Sequence, residues 1–219
     1  MPQLRLDDIR LSFEGVRALL CVSDAGRVFL GDDEVTGLSP HETAEQGVAR
    51  MFQNLALFDQ MSVLENLLLG RHYRWETNWL QDMFWWGPAR RQEVDHRRRV
   101  EQIIDFLHLE QYRKRPVGVL PYGICKRVEL GRALAMEPRV LLLDEPAAGL
   151  NREETEDMAR YILDIHEQLG ITQVLIEHEL HLVLDIADRV TVLDFGEKIA
   201  EGPPEEIRDD PAVVEAYAG

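Results

Sequence analysis

The stretch Val140-Leu-Leu-Leu-Asp-Glu-Pro146 predicts a short strand that is buried on both faces and ends in two acids. Four consecutive apolar residues are typical of a strand inside a parallel sheet. Pro146 has no backbone N–H, so a central strand cannot continue through it. Asp144 and Glu145 therefore stand at the carboxyl end of the strand, where open α/β sheets bind ligands.

These two acids allow two interpretations. One carboxylate can hold a magnesium ion and the second can orient a water molecule. The same pattern also arises when a strand simply ends in a solvated acidic turn. The rest of the sequence has to decide between them.

Composition excludes several classes of protein. The chain has 219 residues, and 24 Lys+Arg against 40 Asp+Glu give a net charge of -16, which argues against nucleic acid as a partner. Two cysteines are too few for a disulfide framework. We find no apolar run long enough for a transmembrane helix, and residues 1–10 lack the apolar core of a secretory signal.

The order of elements predicts one α/β domain with a mostly parallel sheet, antiparallel β elements and a helical subdomain. We assign residues 1–60 and 118–219 to the α/β core and 61–117 to the helical subdomain. Ser39-Pro40 opens a helix that we expect to run to about Ala49. All four tryptophans lie between Trp75 and Trp86, and they fit either an internal helix-packing face or a surface for a partner.

Polar side chains follow three of the predicted strands. Gln53, the pair Asp144-Glu145, and His178 each stand at a strand's carboxyl end. An amide, two acids and an imidazole at one sheet edge suit phosphate and metal chemistry. His178 and His181 lack the spacing of the HExxH zinc motif, so we reject a metalloprotease.

The chain closely resembles the ATP-binding subunits of ABC transporters, and among them the branched-chain amino acid importer subgroup. The resemblance implies a P-loop NTPase fold. It covers nearly the whole chain and rests on these stretches: Thr36–His41, Ala49–Asn54, Val63–Asn66, Leu120–Gly123, Leu141–Asn151, Ile176–Glu179 and Glu215–Gly219.

The resemblance implies catalytic roles for three residues. Glu145 would be the general base, His178 would contact the γ-phosphate of ATP, and Gln53 would connect magnesium and the attacking water to the helical subdomain. Asp144 and Gln53 would hold Mg²⁺.

The resemblance also implies nucleotide contacts. Phe13 would stack on adenine, and Leu120 to Ile124 would form the signature motif that meets ATP held by the opposite subunit. The residues implied in cofactor binding are Phe13, Leu120, Pro121, Tyr122, Gly123, Asp144 and Asn151. A turn that ends in Gly123 at a helix start independently suits an anion, because its N–H groups face outward.

Partners and location follow from the same resemblance. We expect a second ATP-binding subunit, in a homodimer or heterodimer, and permease subunits gripped through residues 61–117. The chain would then sit at the cytoplasmic face of the membrane without crossing it.

One family motif is missing from the sequence. No GxxxxGK[ST] pattern occurs, because Lys114 and Lys126 precede Arg and Lys198 precedes Ile. Only eight residues, Leu20 to Arg27, separate the two points between which the family places this loop. A βαβ unit needs roughly 30 residues, so the sequence predicts that the P-loop, its helix and the preceding strand are deleted.

The signature motif departs from the family too, with Pro121 in place of the usual serine and Ile124 in place of glutamine. Three hypotheses therefore stay open. The chain could be an ATPase subunit of an amino acid importer, a non-hydrolytic scaffold for an intact ATP-binding subunit, or a decayed product without activity.

Overall fold

The computed structural model describes residues 4–10, 25–52, 55–72 and 88–218. Phe13, Gln53 and the tryptophan-rich stretch from Trp75 to Trp86 lie outside these ranges. Within them the strands form three sheets, two antiparallel and one parallel.

The first sheet is antiparallel and joins the amino-terminal strand to a hairpin. Its strands are β1 (Leu4–Arg10), β2 (Ala25–Leu30) and β3 (Asp33–Glu34), in that order. The loose apolar–polar alternation from Leu4 to Leu11 and the run Gly26–Gly31 between glycine turns predict both longer strands. Val28 and Leu30 of β2 point into the interior and are 1% exposed.

The parallel sheet carries the carboxylates. It consists of β4 (Val48–Met51), β5 (Val140–Asp144) and β6 (Thr172–Ile176), with β5 in the middle. Every residue of β5 is buried, as the run of apolar residues predicts. Asp144 pairs with Ile176 in the register, so the strand ends lie side by side.

The two faces of this sheet pack against different layers. Val48, Val140 and Leu142 meet Val28 and Leu30 of the antiparallel sheet. The other face, with Met51, Leu141 and Leu143, belongs to the main core built with the helices. Parallel strands are normally covered on both faces, and β5 satisfies this rule.

The helix that starts at Pro40 is shorter than predicted. It spans Pro40–Glu45 (α1) and has the expected capping box between Ser39 and Glu42. It ends early because Gly47 has a φ of +87°, a left-handed conformation in which an α-helix cannot continue. Residues 48–51 then pair with β5, so our extension of the helix to Ala49 was wrong.

The remaining elements complete the described part of the chain. In chain order they are α2 (Val63–Leu69), α3 (Pro88–Phe106), two short 3₁₀ turns (Glu110–Tyr112 and Val117–Val119), α4 (Tyr122–Ala135), α5 (Arg152–Leu169), α6 (Leu180–Ile186), β7 (Val190–Asp194), β8 (Glu197–Gly202), α7 (Pro204–Arg208) and α8 (Pro211–Ala218). β7 and β8 form a hairpin, which the turn Asp194-Phe-Gly196 between two apolar segments predicts. No helix within the described ranges is long and apolar enough to cross a membrane.

Helices α2, α3 and α4 pack on the parallel sheet in one continuous hydrophobic core. Leu67 of α2, Ile104 of α3 and Leu130 of α4 are each 0% exposed, and they share this core with Leu143 of β5. The described residues between 61 and 117 are thus mainly helical and contribute buried apolar side chains to this core. The subdomain boundaries given above stay a prediction.

A single buried amide fixes residues 58–62, the segment that leads into α2. Asn66 is 0% exposed, and its Oδ1 accepts a hydrogen bond from the N–H of Phe58 at 2.9 Å. Its Nδ2 donates to the carbonyls of Phe58, Met61 and Ser62 at 3.1 to 3.2 Å. A buried backbone group that loses its partner is costly, so Asn66 holds the loop in place.

We expect Asn66→Leu to lower the free energy of unfolding by about 3 kcal/mol, because it leaves the Phe58 N–H and several carbonyls without partners. Urea unfolding followed by circular dichroism measures this. Gln168→Leu, at an exposed amide of α5, is the matched control and should change stability by less than about 0.5 kcal/mol. Equal effects of the two substitutions would contradict the anchoring role.

Candidate functional site

The carboxyl ends of β5 and β6 bring two acids and a histidine together. Asp144 is the last residue of β5 and is 8% exposed. Glu145 follows with a φ of +48°, an uncommon conformation for a residue with a side chain. The Glu145 N–H donates to the carbonyl of Ile176 at 2.9 Å, which fixes the turn against the end of β6.

Glu145 and His178 are in direct contact. Nε2 of His178 lies 2.5 Å from Oε1 of Glu145. The Glu145 side chain is 16% exposed, whereas that of His178 is 80% exposed. The histidine therefore reaches over the acid from the solvent side, where both groups could meet a phosphate or a water molecule.

Glu177 connects the backbone of the two loops at this edge. Its carboxylate accepts hydrogen bonds from the N–H of Ala147 at 2.9 Å and of His178 at 3.3 Å. Burial raises the pKa of Glu177, and the nearby charges of Glu145 and Glu179 raise it further. Glu177 connects the loop after β5 to the loop after β6, and our sequence analysis did not single it out.

The predicted signature motif forms the start of α4. Pro121 occupies the N-cap position and provides no side-chain hydrogen bond to the helix. Tyr122 donates from its hydroxyl to the carbonyl of Ala148 at 3.3 Å. Leu120 is partly buried, while Pro121 and Tyr122 are exposed. The turn thus contacts the loop after β5 and still presents its edge to solvent.

Gly123 is required by its neighbour in α5. A Cβ on this residue would overlap the carboxylate of Glu154. Glu154 belongs to the capping box of α5, in which Asn151 Oδ1 accepts from the Glu154 N–H at 3.1 Å. A large side chain at position 123 would therefore disturb two helices. Asn151 serves as the N-cap of α5, as an asparagine before Arg152-Glu153-Glu154 predicts.

Two buried charges lie behind this edge on α4. Lys126 is 0% exposed and Glu129 is 1% exposed. Burial lowers the pKa of Lys126 and raises the pKa of Glu129, and their opposite charges partly offset both shifts. The positive charge of Lys126 also acts on Asp144 and Glu145.

Arg50 is a further charged residue that sequence reasoning missed. Its Nη2 donates to Oδ2 of Asp144 at 2.8 Å. A lone arginine inside the buried run Val48–Met51 was the available signal. Only the pairing of β4 with β5 shows that this side chain reaches the acidic edge.

Comparison with known proteins identifies the family. A model of the ABC transporter family matches residues 17–148, and a model of the branched-chain amino acid ATP-binding cassette transporters matches residues 197–217. The chain belongs to the ABC transporter ATP-binding subunits, in the branched-chain amino acid group.

Relatives and solved structures agree with this assignment. The chain is 39% identical over 194 residues to the high-affinity branched-chain amino acid transport ATP-binding protein BraF of Pseudomonas aeruginosa, covering 89% of this chain and 76% of BraF. It is 36% identical over 194 residues to LivG of Escherichia coli, with the same coverage. A nucleotide-free ATP-binding cassette from an ABC transporter superposes with a TM-score of 0.80 at 30% identity and covers 100% of both chains.

A second solved structure, an ATP-binding cassette in its ADP conformation, has a TM-score of 0.77 at 32% identity and covers 93% of this chain and 82% of its own. These likenesses confirm the family and the P-loop NTPase fold that the sequence predicted. The roles of the individual site residues stay predictions, and Phe13 and Gln53 fall outside the described ranges.

The residues at the sheet edge do not fit a magnesium ion as they stand. Magnesium is usually held by one or two carboxylates with waters and phosphates, and the carboxylate of Glu145 is in contact with His178. The carboxylate of Asp144 is engaged by Arg50. For ATP, the sequence lacks the GxxxxGK[ST] loop that cradles phosphates.

The buried acid Glu177 allows a test of the electrostatics of this edge. Its raised pKa means that its ionised form is less stable in the folded chain than in the unfolded chain. The wild type therefore loses stability as the pH rises from the ordinary value of 4.5 through the raised folded-state value. Glu177→Gln keeps an acceptor for the Ala147 N–H without the charge. We expect its stability relative to the wild type to increase across this window and then to level off.

Urea unfolding at a series of pH values measures the difference between the two proteins. Glu179→Gln, which removes a charge from an exposed neighbour, is the control and should show no comparable increase. A constant difference between Glu177→Gln and the wild type would show that the Glu177 carboxyl is not destabilised by burial.

Proposed function

We propose that this chain is the ATP-binding-cassette subunit of an importer for branched-chain amino acids or similar solutes. We further propose that it does not hydrolyse ATP alone and acts through an intact partner subunit. The similarity to BraF and LivG, which are high-affinity branched-chain amino acid transport ATP-binding proteins, supports the class of solute.

The missing phosphate-binding loop is the observation that supports the absence of ATP hydrolysis by this chain alone. The loop's backbone N–H groups and its lysine would normally bind the β- and γ-phosphates. The printed sequence has no GxxxxGK[ST], and its eight residues from Leu20 to Arg27 cannot hold a strand, a loop and a helix. A triphosphate would therefore bind weakly at the edge formed by Asp144 and Glu145.

The signature turn remains able to serve a partner. Pro121 and Tyr122 are exposed at the start of a 14-residue helix, whose N-terminal end favours an anion. A complete ATP-binding subunit that closes face to face with this chain would present its own ATP to that turn. Residues 61–117 would bind the permease subunits, and the assembly would sit at the cytoplasmic face of the membrane.

Glu145 and Glu177 of this chain hold the loops near the signature turn in place. Glu145 is fixed by its backbone bond to Ile176 and by its contact with His178. Glu177 holds the loops after β5 and β6 together through Ala147 and His178. These contacts connect the loop that meets Tyr122 to the end of β6, so the signature turn packs against a hydrogen-bonded loop.

Hydrolysis by this chain is the second candidate, because the Glu145–His178 pair has the geometry of a base with an adjacent proton-carrying group. The pair could orient a water molecule if ATP reached it. A decayed product would neither hydrolyse ATP nor stimulate a partner subunit. Measuring ATP turnover with and without a partner distinguishes it from the two candidates.

We expect the purified chain to show no saturable, magnesium-dependent ATP turnover, and to stimulate turnover by a subunit that contains GxxxxGK[ST]. Pro121→Glu should abolish this stimulation, because its carboxylate repels the partner's triphosphate. Pro121→Ser restores a capping hydroxyl and should increase the stimulation, and it should add about 1 kcal/mol to stability. Phosphate release measures turnover.

Both substitutions change the same exposed position, so each controls for the other. Turnover by the chain alone would overturn the non-hydrolytic role and support the second candidate. A folded chain that leaves the partner's turnover unchanged would overturn the supporting role. An aggregated product would support decay.

A further inference from the structure

The Arg50–Asp144 ion pair occupies the position at the sheet edge where the family's chemistry calls for a metal ligand. The Arg50 side chain is 21% exposed and that of Asp144 is 11% exposed, so the 2.8 Å contact is largely sheltered from water. Both groups therefore interact more strongly than a surface pair would.

The strand register explains why Arg50 reaches Asp144. Arg50 lies opposite Leu142 in the parallel pairing of β4 with β5. Side chains alternate along a strand, so Leu142 and Asp144 point to the same face, and the arginine extends along it by two residues. The backbone thus directs this guanidinium to this carboxylate.

Other contacts fix the guanidinium in place. Its Cζ lies 5.0 Å from the ring centre of Phe52, which is the geometry of a cation–π contact. Its Nε is buried and has no hydrogen-bond partner within the described ranges. Asp144 is therefore the ionic partner on which Arg50 depends, and a change that removed this carboxylate would leave a charge poorly compensated.

A metal ion at Asp144 would meet several obstacles. It would have to displace Arg50 and leave that guanidinium nearly buried without its counter-ion, which is unfavourable. The positive charge of Lys126, also buried, acts on Asp144 and Glu145 and opposes a second cation. Magnesium is usually held by one or two carboxylates with waters or phosphates, and the carboxylate of Asp144 is already occupied by Arg50.

We propose that Arg50 is the resident counter-ion of Asp144 and keeps divalent cations away from this edge of the sheet. This inference rests on the proposed function, because a subunit that does not hydrolyse ATP has no need of its own metal. Arg50 is then a positioning residue that orients Asp144 and neutralises it.

Titration with Mn²⁺, followed by electron paramagnetic resonance, tests the proposal in the absence of nucleotide and of any partner subunit. The wild type should show only weak, unsaturated binding. Arg50→Met removes the charge and keeps most of the apolar volume, so it should raise the affinity for Mn²⁺ roughly tenfold or more. Adding Asp144→Asn to this variant should return the affinity to that of the wild type.

Arg160→Met is the matched control, since Arg160 pairs with Asp157 on the surface at 3.2 Å with 69% of its side chain exposed. It should leave Mn²⁺ binding unchanged. Circular dichroism checks that each variant folds. If Arg50→Met does not fold, the comparison of the wild type with Asp144→Asn decides, because the proposal expects equally weak binding by both.

Saturable binding by the wild type that Asp144→Asn abolishes would overturn the proposal. An unchanged affinity in a folded Arg50→Met variant would also overturn it. Because no nucleotide is present, neither result depends on whether the chain stimulates a partner's ATP turnover.

Discussion

The structure depends on one strand, β5, being enclosed on all sides. Its two edges are taken by β4 and β6, and its two faces are covered by the antiparallel sheet and by the helices. A charged side chain within such a strand would be buried, so the first acid can occur only where the strand leaves the core. Asp144 is therefore positioned by the length of the apolar run before it, and Glu145 by the turn that Pro146 enforces. The position of both acids at this edge is therefore determined by where the buried apolar strand ends.

Charged groups next to this core are tolerated because they are paired. Lys126 and Glu129 lie on the same helix, one turn apart, and each offsets part of the other's burial cost. Asp144 has Arg50, and Glu177 has two backbone N–H groups. In a chain with a net charge of -16, the cations Arg50 and Lys126 lie where the acids converge, and the buried Arg71 pairs with Glu137 elsewhere. The site is thus electrostatically balanced by the protein's own side chains.

The sequence predicted most of the fold because its signals were local. The apolar run of β5 and the Ser39 and Asn151 caps act within a few residues, and the structure confirms them. The length of α1 was misjudged because strand pairing outweighed the helical pattern after Gly47. Local signals could not reveal the contacts that depend on which strands and helices become neighbours, such as the one between Gly123 and Glu154.

Arg50 shows why the site was harder to predict than the fold. In the sequence it is separated from Asp144 by 94 residues, and nothing near either residue indicates the other. The family resemblance drew attention to residues that act on nucleotide, so an internal counter-ion was not considered. A carboxylate at the end of a buried strand needs a positive charge, and in this family's chemistry a metal ion can supply it. Where a neighbouring strand supplies a guanidinium instead, the same acid can persist as part of the scaffold, and its presence alone does not establish catalysis.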